Sequence, residues 1–272
     1  MRQDDRAAVD AALWDARVAA YPPGEFVGQE SFMTASELRT LAVRAGIGPG
    51  TSVLDLCCGV AGPGILLAAE LGCTYVGVDA HPGALAIARE RAAGLPCRFE
   101  QAAVPPVPAG RFDVVLLLET LLAFEDKGGL LRSVAESLRC GGRFACTVEE
   151  GPPLTPAERA AMPRPDTVWP VPLPDLLAEL DRAGLAASAV EEYTSAHRET
   201  AVSLLAAYEA GAAGIAARLG SEPVDDLLAA HRLWRDWLTD GRVRKFGVVA
   251  EKVRDAVPVR VNRAGAPAVF PG

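Results

Sequence analysis

The stretch Val53-Leu54-Asp55-Leu56-Cys57-Cys58-Gly59-Val60-Ala61-Gly62-Pro63-Gly64 constrains this chain more than any other. Val53, Leu54 and Leu56 supply the apolar run of a fully buried strand. Gly59, Gly62 and Gly64 then permit a sharp turn and a close approach between backbone and ligand. Ile65 to Leu71 is a good helix former, and its free amides would point back at the turn. A strand, a glycine-rich turn and a helix in this order predict a nucleotide-type site.

Charge narrows the ligand. Asp55 ends the strand, where a carboxylate repels a pyrophosphate and attracts a cation. No Lys or Arg occurs from Thr51 to Ala88, and the Gly-Lys-Ser/Thr of a P-loop is absent. The dinucleotide pattern G-x-G-x-x-G is out of register, which disfavours a nicotinamide-dependent oxidoreductase. Thr74-Tyr75-Val76-Gly77-Val78-Asp79 is a second strand that also ends in an acid. An acid about 20 residues after the glycine turn hydrogen-bonds a ribose diol in such folds. The two acids together suggest a nucleoside with an ammonium or sulfonium and no phosphate, and S-adenosylmethionine is the candidate.

On these residues the chain resembles the class I S-adenosylmethionine-dependent methyltransferases, whose first motif reads roughly V-L-D-x-G-x-G-x-G. Cys57 stands for the first glycine and Ala61 for the third, with Gly62 directly after it. Both substitutes are small, so the loop should still close. The resemblance covers Gly46 to Leu185 well and the two ends loosely. It implies an α/β fold: a Rossmann-like seven-stranded sheet, six strands parallel and the last antiparallel, with helices on both faces. It also implies a helical lid inserted before the last strand, as in several small-molecule methyltransferases and the related cyclopropane synthases.

The rest of the chain agrees with this order. A helix is expected from Asp4 to Ala20, broken by Tyr21-Pro22-Pro23-Gly24. Thr34 with Glu37 forms a capping box for a second helix that ends at Gly46. Further strands are expected at Cys97–Gln101, Arg111–Glu119, Arg143–Val148 and Leu185–Thr194, alternating with helices, which implies parallel crossovers. Gly151 to Pro174 is too long for an ordinary connector and reads as a functional loop. Helical pattern at Arg198–Leu219 and Pro223–Thr239 matches the implied lid, and Arg244–Val253 reads as the last strand. The expected division is 1–50 as an N-terminal helical cap, 51–196 as the cofactor-binding core, 197–240 as the lid, and 241–272 as the last strand and a tail.

Composition bounds the partners. The formal charge is −8 without a basic cluster, so nucleic acid is disfavoured and a small molecule is expected. The densest basic run, Arg242-Val243-Arg244-Lys245, reads as the flank of a strand. No secretory signal and no membrane-spanning run is expected. Cys57, Cys58, Cys73, Cys97, Cys140 and Cys146 include no C-x-x-C, so reduced core thiols of a cytoplasmic protein are expected rather than a zinc site. No metal is implied. The sequence leaves the oligomeric state open, a homodimer included.

The candidate site residues follow from strand ends and from the resemblance. Asp55, Cys57, Gly59, Gly62, Asp79, Ala80 and His81 are assigned to the cofactor. Gln101 and Ala102 fall, by resemblance, where the family holds adenine, and read equally as a surface loop. Glu119 ends the fourth strand on the ligand side and could touch cofactor or acceptor, or simply cap the loop. Glu119, Glu150 and His197 are the catalytic candidates, with His231 a further histidine in the lid. Tyr21, Phe32, Leu122, Glu149, Trp169 and Trp234 are the substrate-side candidates, although Trp234 and Trp237 also read as lid core. The expected function is methyl transfer from S-adenosylmethionine to an N, O or C acceptor on a small molecule, in secondary metabolism. The alternative is a cyclase or isomerase on the same scaffold that binds the cofactor and transfers no methyl. The absence of D/N-P-P-Y/F after the fourth strand argues against DNA amino methylation, and Asn262 as the one Asn argues against the metal-dependent catechol type.

Overall fold

The computed structural model describes residues 3–162 and 168–253. The C-terminal tail and Asn262 lie outside the described residues. The elements are α1 (Gln3–Ala20), α2 (Ala35–Ala45), β1 (Ser52–Leu56), α3 (Gly62–Leu71), β2 (Thr74–Asp79), α4 (Pro82–Arg91), β3 (Cys97–Gln101) and β4 (Phe112–Leu117). There follow a 3-10 turn (Leu121–Ala123), α5 (Lys127–Ser137), β5 (Leu138–Glu150), α6 (Pro156–Ala160), α7 (Leu173–Arg182), β6 (Leu185–Glu192), α8 (Thr194–Leu219), α9 (Ser221–Asp240) and β7 (Arg244–Lys252).

The seven strands form one sheet in the order β3-β2-β1-β4-β5-β7-β6. β1 to β5 pair in parallel, and β7 runs antiparallel to both β5 and β6. Strand alternation divides the core. Leu54, Leu56, Val115, Leu117, Phe144 and Val148 face one side, where α5 and α7 cover them with Leu131, Val134, Leu176 and Leu180. Val53, Val114, Leu116, Ala145 and Val249 face the other, against Leu38, Leu41 and Leu67 of α2 and α3. Each fully buried Leu or Val contributes roughly 1.5–3 kcal/mol. A separate cluster binds α1 to α8 and α9 through Leu13, Leu204, Leu205, Tyr208, Ile215 and Val224. Thr34 and Glu37 do close a capping box on α2, and Gly46 ends it in the left-handed region.

Three expectations need correction. β5 is longer than the Arg143–Val148 run: it starts at Leu138, passes an irregularity opposite β4, and continues through Glu149 and Glu150. β4 stops at Leu117, which leaves Glu119 on the turn beyond it. An apolar run of membrane-spanning length does exist by length and composition, because α8 spans 26 residues. One face of α8 packs on α1 and α9, and Glu209 on it pairs with Arg232 of α9 at 2.7 Å.

Candidate functional site

The glycine turn after β1 keeps a left-handed backbone at all three positions of the motif: Cys57 has φ 59°, Gly59 55° and Ala61 57°. The two non-glycine residues therefore hold a conformation that costs about 1–2 kcal/mol each. Gly62 cannot be replaced freely, since a Cβ there would lie 2.2 Å from the Val27 carbonyl oxygen. The segment around Gly28 rests on the turn for that reason. Gly64 leaves room for Tyr75, whose ring would sit 2.0 Å from a Cβ at this position. Through that gap the Tyr75 hydroxyl donates to Asp55 Oδ2 at 2.6 Å. Burial pushes the Asp55 carboxyl up to about 7 against the Tyr75 hydrogen bond, and Asp79 adds to the rise.

Asp79 Oδ2 accepts from the Gly59 amide at 2.9 Å, and Oδ1 accepts from the His81 amide at 2.8 Å. Both donors are backbone, so the carboxylate is fixed while each oxygen keeps a lone pair for a ligand. Beside it a cavity of about 310 Å³ opens, lined by Asp55, Cys57, Gly59, Gly62, Asp79, His81 and Glu119. His81 Nδ1 is buried there without a hydrogen-bond partner. Among the described residues four carboxylates line the cavity (Glu30, Asp55, Asp79 and Glu119) and no Lys or Arg does. This donor set fits a cationic nucleoside and opposes a phosphate. Ala80, Gln101 and Ala102 do not line it. Gln101 is exposed at the sheet edge with its amide on the Ala80 carbonyl at 3.4 Å, and Ala102 packs on the core.

A second cavity, of about 270 Å³, lies between the sheet and the α8–α9 hairpin. Tyr21, Phe32, Leu122, Glu149, His197 and Trp234 all line it. Gln29, Glu30, Ser31 and Glu119 belong to both cavities. Glu119 takes its place through a left-handed backbone, φ 61°, with its amide donating to Thr147 Oγ1 at 2.6 Å. Strain of this kind in a charged residue gathers at functional sites.

The Lys245 ammonium lies 2.7 Å from Glu119 Oε1 and hydrogen-bonds Glu149 Oε1. Only 2% of the lysine is exposed. Burial opposes the charges, but they prevail: the Lys245 ammonium and then His197 hold Glu119 below the usual carboxylate range, and Glu119 and Glu149 hold Lys245 above its own. His197 is buried with Nδ1 3.9 Å from Glu119 Oε2 and Nε2 3.3 Å from Glu37 Oε2. Glu37 is the acid of the α2 capping box, so a helix cap also forms the outer end of this charged row.

Besides Ala80, Gln101 and Ala102, two further expected site residues are elsewhere. Glu150 points away from Glu149, as neighbours on a strand must, and pairs with Arg244 at 2.9 Å. Trp169 lines a different surface cavity, under the Arg159 guanidinium at 4.0 Å from its ring centroid. The basic run at 242–245 is more than a strand flank, since Lys245 sits opposite Glu149 in the β5–β7 register. Besides Lys245, sequence reasoning missed Arg17, Gln29, Glu37 and Tyr208. Arg17 lies 3.2 Å from both Glu30 and the Tyr208 hydroxyl. Alternation along β5 and β7 was the available signal for Lys245; nothing local marks the others.

Comparison with known proteins agrees with this geometry. Residues 53–142 match a family model described as a methyltransferase domain. Phosphoethanolamine N-methyltransferase 1 of Arabidopsis thaliana is 29% identical over 49% of this chain and 28% of its own length. The chain thus spans little more than a quarter of that relative. Phosphoethanolamine N-methyltransferase 2 of Haemonchus contortus, solved with phosphomonomethylethanolamine and S-adenosylhomocysteine, superposes with a TM-score of 0.74 at 18% identity, over 90% of this chain and 58% of that one. The cyclase SpnF superposes with a TM-score of 0.71 at 20% identity, over 90% and 93%. Residues 53–142 thus match a methyltransferase domain, and the glycine turn with its two acids and the seven-stranded sheet agree with the class I S-adenosylmethionine-dependent methyltransferases that the sequence resembles.

Proposed function

We propose that this chain binds S-adenosylmethionine in the first cavity and transfers its methyl group to a small molecule held in the second. The carrying observation is that the two cavities meet at Glu119, with the fixed Asp79 carboxylate at one end and an aromatic chamber at the other. Asp79 would hold the ribose diol through its free lone pairs and Asp55 would face the ammonium, while the 28–31 segment covers the turn. The bound cofactor supplies an electrophilic methyl group on its sulfonium. The protein's task is then to align the acceptor and exclude water. Burial and the α8–α9 hairpin serve the second purpose. Glu119, kept ionised by Lys245, takes up a donor group or a proton from an N, O or C acceptor. The mostly apolar walls, with Phe32, Leu204 and Trp234, suit small molecules of the kind secondary metabolism offers.

A second reading keeps the cofactor but no transfer, as in a cyclase. It is favoured by one observation: Lys245 engages both Glu119 and Glu149, which ties each acid to a cation and weakens it as a base. Release of S-adenosylhomocysteine during turnover decides between the two. The first test is calorimetric titration with S-adenosylmethionine, S-adenosylhomocysteine and NAD. Binding of the first two, their loss in Asp79→Ala and silence toward NAD support the proposal. Near-normal affinity in D79A would refute the assigned site.

A further inference from the structure

The second cavity has a polar end whose charges do not balance. Glu119 and Glu149 share one ammonium, that of Lys245, so the group keeps at least one negative charge. The described neighbours do not supply the missing cation: Lys127, whose charge reaches Glu149, gives its ammonium to the Phe124 and Trp169 carbonyls. Arg17 pairs with Glu30 and Asp10. His197 lies between Glu119 and Glu37 and nearer the second, so the His197–Glu37 pair adds no net positive charge to the group. Tyr21 cannot help by donating, since its hydroxyl is committed to the Ser31 carbonyl. His231 stays neutral at pH 7, because burial and then Arg17 hold it down at about 4.

Hydrogen bonding points the same way. Glu149 Oε2 is buried with no hydrogen-bond partner among the described residues, in a residue only 8% exposed that lines the cavity. A buried carboxylate oxygen without a donor has lost its water and gained nothing in return. A hydroxyl would satisfy the hydrogen bond but not the charge, and an ammonium satisfies both. Phe32 and Trp234 stand in the same cavity, where ring faces favour a cation and an apolar body alike.

We infer that the second cavity binds a protonated amine on an apolar body, with Glu149 Oε2 as its direct ligand and Lys245 as the positioning residue that fixes the two carboxylates. This rests on the reading of that cavity as the acceptor chamber. Methyl transfer to the amine itself would first require loss of an N–H proton; binding alone does not.

The test uses protein loaded with S-adenosylhomocysteine and three probes sharing one body: 2-phenylethylamine, 2-phenylethanol and 3-phenylpropanoate. Calorimetry at pH 7 should give the amine at least a tenfold preference over the other two. Glu149→Gln should abolish that preference, and Glu150→Gln, on the outer face, should leave it in place. Equal binding of amine and alcohol to the wild type, no binding of any probe, or a preference that survives E149Q would overturn the inference. The wild-type comparison stands even where E149Q fails to fold, which its own S-adenosylhomocysteine titration reports. Failure of the wild type to bind S-adenosylhomocysteine would instead sink the cofactor reading beneath it.

Discussion

Replacing Asp55 by Asn should stabilise the ligand-free protein at alkaline pH and weaken its hold on the cofactor. Asp55 is 3% exposed, and its carboxyl titrates at about 7 where 3.8 is ordinary, with burial as the main cause. Between those two values the folded chain holds a proton that the unfolded chain has released. Stability from this group is therefore complete below about pH 4, falls as pH rises toward 7, and is level above it. At 1.36 kcal/mol per pH unit the gap is worth about 4 kcal/mol, an upper figure because local relaxation lowers it. Asn has nearly the same volume, and its amide oxygen can still accept from the Tyr75 hydroxyl, but it does not titrate. Urea unfolding of both proteins at pH 4, 6 and 8 measures the difference. D55N should be no more stable at pH 4, and more stable by about 2–4 kcal/mol at pH 8. A difference that does not change with pH, or a less stable D55N at pH 8, would refute the argument. Cofactor affinity at pH 8 should fall in the same variant, since the carboxylate that burdens the fold is the one proposed to face the ligand's ammonium.

Three other outcomes follow from the same packing. Gly64→Ala should cost about 1–3 kcal/mol in chemical denaturation and weaken cofactor binding, because the new Cβ lies 2.0 Å from the Tyr75 ring and drives it off Asp55; an unchanged midpoint would contradict this. Lys245→Met should cost about 3–5 kcal/mol at pH 7 by leaving two buried carboxylates without their cation, and the loss should shrink as acid protonates them; a loss independent of pH would count against it. His231 is held at about 4, so the unfolded chain takes up its proton first as pH falls below 6.5. The wild type should lose up to about 3 kcal/mol between pH 6.5 and 4 from this residue, and His231→Phe should remove that part of the acid sensitivity in a thermal melt series.

The cofactor half of the molecule was legible because it is local. Val53 to Gly64 and Thr74 to Asp79 each carry strand, turn and acid within a dozen residues, so periodicity and glycine spacing suffice to place them. The seven-stranded sheet and its antiparallel last strand came through the resemblance, and the structure has both. What periodicity could not supply was the length of β5, since a pairing irregularity at its start depends on β4.

The second cavity was legible only in fragments. Tyr21, Phe32, Leu122, Glu149 and Trp234 were grouped on the substrate side and His197 as catalytic, but nothing local showed that they line one cavity or that Trp169 does not. Lys245 looked like one member of a basic run, and Glu149 and Glu150 looked alike. The register of β5 against β7 separates them, putting Glu149 and Lys245 inside and Glu150 and Arg244 outside. Glu37 and Arg17 come from helices far away in sequence, so only packing could bring them to the site. The sequence by itself determined the nucleotide-type turn, its preference for a cation and the class of fold, because those depend on neighbours along the chain. The tertiary structure alone decided which acids share Lys245 and which one is left wanting a donor, because a buried charge is defined by everything packed around it.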